Sequence, residues 1–193
     1  MKTKTRRVQH VQHTIGVDPG AKGAVVLLLG DRVVFAMAWT ERRRVTGTVY
    51  EVEAVNARGG DYSSLFAVGD HARTRARDEA PEGYLLAVED LFGKGPTLAT
   101  LAWNAGLVSG PLTANATSTT RPHPMQWRPS ILGIPGNSAR ATEVAQKLVP
   151  LRFTGLGNLV ANEHALEATC IAKYSQVMSM SSSVSSLSLE HAK

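Results

Sequence analysis

Cysteine is almost absent: the 193 residues contain one, Cys170. A lone thiol excludes an internal disulfide and suits a reducing compartment. Its setting between Thr169 and Ile171, in an expected helix, predicts a buried, inert side chain. Long apolar runs are missing too. The runs Ala24 to Leu29 and Val33 to Trp39 are far shorter than the ~20 residues a membrane span needs. The basic start leads to Gln9, His10, Gln12 and His13 rather than to an apolar stretch, so no secretory signal is expected. No internal repeat is visible. With 43% hydrophobic and 19% charged residues the chain also lacks the polar excess that keeps a protein disordered. These absences lead to one soluble domain, expected in the cytoplasm of a bacterial cell or of a phage-infected host.

What is present begins with charge. A formal net charge of +5 and a pI near 9.6 favour a polyanionic partner, without requiring one. The basic residues are clustered: Lys2, Lys4, Arg6 and Arg7; then Arg42, Arg43 and Arg44; then Arg73, Arg75 and Arg77. Each cluster taken singly reads as a solvated surface.

Thr14 to Asp18 reads as a short buried strand, followed by the Pro19-Gly20 turn and a second strand from Gly23 to Leu29. Gly30-Asp31 is a hairpin signal, and Arg32 to Trp39 is a third strand. Connections this short force an antiparallel meander. Glu41 to Ala57 is ambiguous between helical spacing and extended chain. A helix is predicted from Asp61, as N-cap, to about Arg77, with Leu65, Val68 and Ala72 on one face. Tyr84 to Leu91 is a buried strand ending in two acids. Thr97 to Leu112 is a helix with Ala102, Gly106 and Gly110 at i, i+4 and i+8, a stripe read as close core packing. An edge or irregular strand is expected near Thr119 to Gln126, given Pro122 and Pro124. Helices follow at Ala139 to Val149 and Asn162 to Met178. The organisation is a basic extension over 1–13, a domain over 14–178 and a serine-rich, disordered tail over 179–193. The element order predicts an α/β domain with a mixed sheet covered by helices.

Two acids stand where chemistry happens in such sheets. Asp18 closes the first strand and Glu89 lies near the end of the strand from Tyr84; neighbouring parallel strands would bring both to one edge. Asp90 is the competing choice, because adjacent strand residues face opposite sides. In the last helix, His164 and Glu167 are at i, i+3 and Glu163 and Glu167 at i, i+4, so either pair shares a face. Crowded carboxylates suit a hard cation such as Mg²⁺. Two such ions about 4 Å apart activate water and stabilise the leaving oxygen of a phosphodiester.

Five strings are similar to those of RuvC-type Holliday-junction resolvases, and they run in family order across most of Thr14 to Tyr174. TIGVDPGAKGAVVLL resembles the first hairpin, LLAVEDLF the fourth strand and WNAGLVSGPL the helix after it. WRPSILGIPGNSARATEVAQKLV resembles the stretch with two basic residues around a Gly-rich loop, and EHALEATCIA the closing helix. The resemblance implies a ribonuclease-H-like fold, a mixed five-stranded sheet of three antiparallel strands and then two parallel ones, flanked by helices. It implies Asp18, Glu89, His164 and Glu167 as catalytic metal ligands for two Mg²⁺ ions, with Mn²⁺ able to substitute and Glu163 as an alternate ligand. Glu167 stands where the family more often has Asp. Arg128 and Arg140 match the basic positions and would contact phosphates, with Lys147 beyond them, and Phe92 matches an aromatic that stacks in the opened junction. The implied activity is paired, symmetric nicking of a four-way DNA junction by a homodimer, water attacking in line to leave a 5′-phosphate. Alternatives are a sister nuclease acting on flaps or RNA–DNA hybrids, and a junction-binding protein without catalysis. An actin-like phosphotransferase needs a second nucleotide-binding half for which 193 residues leave no room.

Overall fold

The computed structural model describes residues 13–43, 50–56, 64–91 and 96–190. Three strands, β1 (His13–Asp18), β2 (Lys22–Leu29) and β3 (Arg32–Arg43), form the expected antiparallel meander. Strand β4 (Tyr50–Asn56) comes from the ambiguous segment and pairs antiparallel with β3, so extended chain wins there. After helix α1 (Leu65–Glu79), strand β5 (Tyr84–Val88) pairs parallel to β1. Helix α2 (Pro96–Thr113) leads to β6 (Ala116–Thr120), parallel to β5. The sheet order is β4-β3-β2-β1-β5-β6, the predicted five strands plus β4 at one edge. Strand β6 is the opposite edge and stops before Pro122, earlier than the sequence suggested, since each proline removes a ladder donor.

The run Ala24–Leu29 is apolar throughout because β2 is covered on both faces. Val25 and Leu27 join one core with Leu65, Val68 and Val108 from α1 and α2. Ala24, Val26 and Leu28 join a second core on the other face, built with helix α4 (Ala141–Arg152) and the long helix α5 (Glu163–Glu190). Cys170 is fully buried in that second core, as expected.

Three local readings are corrected. The N-cap of α1 is Ser64, whose Oγ accepts from the Ala67 amide at 3.1 Å; Asp61 lies outside the described residues. The stripe Ala102, Gly106 and Gly110 faces solvent, and Asn104, Ala105, Val108 and Leu112 form the buried face of α2. Helix α5 continues past Met178 into the serine-rich segment. There the Ser179 and Ser181 hydroxyls donate to the carbonyls of Gln176 and Val177, which keeps the polar side chains compatible with helix.

The contact that positions the site is at Gly16. A Cβ there would collide with the Ala168 carbonyl and come within 2.9 Å of the Ala172 Cβ. The missing side chain lets α5 lie directly on β1. Since residue 16 meets 168 and 172 while Asp18 meets His164, the helix runs antiparallel to β1, and its first turn overhangs the strand's C-terminal end.

Candidate active site

Asp18 is the last residue of β1 and is 6% exposed. The β1–β5 ladder extends one residue beyond β5, the Glu89 amide donating to the Val17 carbonyl at 2.9 Å, which sets Glu89 beside Asp18. The short helix α3 (Pro124–Trp127) supplies Trp127, whose indole Nε1 donates to Glu89 Oε1 at 3.1 Å. Glu89, not Asp90, is the acid that belongs to this group; the Asp90 backbone instead bonds the Pro122 carbonyl.

From above comes the first turn of α5, anchored by Asn162, whose Oδ1 accepts from the Ala165 amide at 2.9 Å. His164 Nδ1 is 2.7 Å from Asp18 Oδ2. His164 Nε2 is 3.4 Å from Glu163 Oε1, an ion-pair distance without hydrogen-bond geometry, and this buried nitrogen has no hydrogen-bond partner among the described residues. Glu167 Oε1 is 3.4 Å from Arg128 Nη2. Arg128 follows Trp127 directly, lies 5.1 Å over its ring and donates through Nη1 to the Gly136 carbonyl at 3.1 Å.

The electrostatics follow from the crowding. Burial, and then the charges of Asp18 and Glu167, push the Glu89 carboxyl up to about 8, against the pull of the Trp127 hydrogen bond and the Arg128 charge. Burial and Asp18 push Glu167 up to about 7, against Arg128 and His164. Burial lowers His164, but the hydrogen bond and charge of Asp18, with Glu163 and Glu167 behind it, outweigh that and hold the imidazole above its ordinary value. Carboxyl groups forced to keep protons near neutral pH form a site that a hard divalent cation would relieve. Donor chemistry of three carboxylates and a buried, unpartnered imidazole nitrogen fits such an ion. As the side chains stand, no three His, Cys, Asp or Glu among the described residues are placed to hold a metal. His164, Trp127 and Arg128 each already engage one carboxylate.

The other predicted residues divide. Arg128 joins the acids. Arg140 precedes α4 as its N-cap residue and Lys147 lies midway along the helix; both are exposed and are held by Glu143, at 3.3 and 2.6 Å, rather than by the acidic group. The Lys147 and Arg140 hydrogen bonds hold the Glu143 carboxyl down to about 2. Phe92 lies outside the described residues. Sequence reasoning missed Trp127. The available signal was a tryptophan immediately before the basic residue Arg128, in a segment otherwise too short to need so large an apolar group.

Comparison with solved structures gives likeness of fold. The chain is similar to the RuvC structure of Thermus thermophilus, with a TM-score of 0.50 at 15% identity, over 88% of this chain and 96% of that one. A second similar structure is T. thermophilus RuvC in complex with a Holliday junction substrate, at a TM-score of 0.49 and 13% identity, over 84% and 92% of the two chains. No family model and no curated protein sequence matches the chain. The fold is thus the RuvC-like, ribonuclease-H-like α/β arrangement that the five strings implied.

Proposed function

We propose that this chain is a Mg²⁺-dependent DNA endonuclease that resolves four-way junctions. One observation carries the reading: Asp18, Glu89, His164 and Glu167, spread over some 150 residues of sequence, gather at the C-terminal ends of the interior strands β1 and β5 of a RuvC-like sheet. In this reading Asp18, Glu89, Glu167 and His164 hold the ions, and Glu163 stays the alternate. Bound Mg²⁺, with Mn²⁺ as substitute, supplies water activation and stabilisation of the departing 3′ oxygen.

The chain's own residues do the rest. Asp18 and His164 orient each other, and the β1–β5 ladder fixes the distance between Asp18 and Glu89. Arg128 exchanges Glu167 for a substrate phosphate once a cation occupies the acids, a natural role for a planar guanidinium. Arg140 and Lys147 contact phosphates farther out, and Phe92 stacks in the opened junction. A four-way junction has near two-fold symmetry, so a C2 homodimer would present two sites to opposite strands. The exposed face of α2 is the proposed interface, since the whole helix carries no charged residue and Trp103 on it is 69% exposed. Among the described residues no helix is long and apolar enough to cross a membrane.

The test is cleavage of a labelled four-way junction in Mg²⁺, beside linear duplex, flap and RNA–DNA hybrid. Paired symmetric nicks confined to the junction, and lost by at least ~1,000-fold in Asp18→Asn, are expected. Preferred cleavage of flap or hybrid would move the activity to a sister nuclease. Tight junction binding without cleavage would leave a binding protein whose acids are held by its own Arg128 and His164.

A further inference from the structure

We infer that Trp127 is a positioning residue for Glu89, fixing one oxygen of that carboxylate through its indole N–H so that the other is presented to a cation. The inference rests on the metal-dependent reading above and adds to it a residue outside the acidic set.

Three features support it. First, the three carboxylates are held differently. Asp18 is held by an imidazole and Glu167 by a guanidinium, but Glu89 is held by a neutral donor at 3.1 Å. A neutral indole orients a carboxylate without acting as its counter-ion, so the charge needed for a divalent cation is retained. An indole nitrogen only donates, so its partner must be a carboxylate oxygen, and Oε1 is thereby assigned.

Second, Trp127 cannot easily turn. It is fully buried in the second core, and it closes a one-turn helix with an unusually complete cap: the Met125 amide donates to His123 Nδ1 and the His123 amide to Gln126 Oε1, both at 3.1 Å. The loop carrying Gly136 is pressed on the same helix, for a Cβ at Gly136 would collide with the Met125 backbone. A side chain locked by packing on a capped turn is what holds a ligand at a fixed angle.

Third, the next residue serves the next acid. Arg128 stacks on the Trp127 ring and reaches Glu167, so residues 127 and 128 together span the carboxylates of β5 and α5. A single dipeptide therefore touches two acids that come from different elements, and of its two contacts the Trp127 bond to Glu89 is the one that a cation leaves in place.

The test uses the full chain. Three indole N–H signals are expected in its ¹⁵N-edited spectrum, from Trp39, Trp103 and Trp127. Glu89→Gln should displace the Trp127 signal and leave the Trp103 signal in place, and Mg²⁺ added to the unsubstituted protein should displace the same signal. Trp127→Phe should lower kcat on the junction by ~10- to 100-fold, the range for loss of a ligand's supporting partner, with KM unchanged. If Trp127→Phe does not fold, the Glu89→Gln spectrum decides alone. A Trp127 signal indifferent to Glu89→Gln, or a folded Trp127→Phe with unaltered kcat, would overturn the assignment. If Glu89→Gln and Mg²⁺ both move the signal but the unsubstituted protein cleaves nothing, the pair stands and the nuclease reading fails.

Discussion

Two glutamates of the acidic group keep their protons where exposed ones would release them, and this has a measurable consequence. Both have an ordinary value of 4.5; folding raises Glu89 to about 8 and Glu167 to about 7, burial first and neighbouring acids second. Between those limits the folded state binds more protons than the unfolded chain, so stability falls as pH rises. The stabilising effect is complete below pH 4.5, declines steadily above it and is gone once pH passes about 8. Without divalent ions, the melting temperature should drop as pH rises from about 5 to 8.5. Glu89→Gln should flatten that dependence, and Mg²⁺ should restore stability at the alkaline end, because ligands bind metal deprotonated. Calorimetry across pH checks all three. A flat profile in the unsubstituted protein would mean the acids are better hydrated than their burial implies.

Among the elements, α5 on β1 is the contact that makes the site. Gly16→Ala places a methyl group into the Ala168 carbonyl and against Ala172, so α5 must lift. Overpacking of this kind costs about 1–3 kcal/mol, and a urea midpoint measurement should show it along with loss of activity. Gly106→Ala, on the solvent side of α2 where a Cβ meets nothing, should instead leave stability unchanged or slightly raised. Helix α2 supports a second expectation. If its uncharged outer face is the interface between two copies, Trp103→Glu should yield a monomer in sedimentation at micromolar concentration while the circular dichroism spectrum is retained. The sequence was legible as far as α2 being a helix. Which face was outward was not, because small residues at i, i+4 and i+8 serve close packing and an open surface equally well. Asp61 misled for a related reason: several residues before Leu65 can cap a helix, and only the Ser64 contact selects one.

At the scale of the whole molecule, the three cations expected to contact phosphates divide between the acidic group and the surface. Arg128 is inside the acidic group, whereas Arg140 and Lys147 are outside, more than two-thirds exposed and shared with Glu143. Exposed ion pairs of that kind contribute little to stability, so the pair Arg140→Ala and Lys147→Ala should fold normally. If both contact phosphates, the slope of log binding constant against log salt should become shallower by roughly 0.9 for each lost contact. An unchanged slope would place the DNA path elsewhere on the surface.

The sequence by itself determined the antiparallel meander, the main helices, the buried run of β2 and the candidates Asp18, Glu89, His164 and Glu167. Those are local properties: periodicity, turn residues and short motifs are written within a few residues of where they act. The tertiary structure decided that Glu89 rather than Asp90 joins the acids, that His164 contacts Asp18, and that Trp127 bonds Glu89. Each of these depends on residues far apart in the chain meeting at the C-terminal ends of β1 and β5. Their meeting depends in turn on Gly16 letting α5 settle onto β1, a three-dimensional consequence of an absent side chain that no local pattern announces.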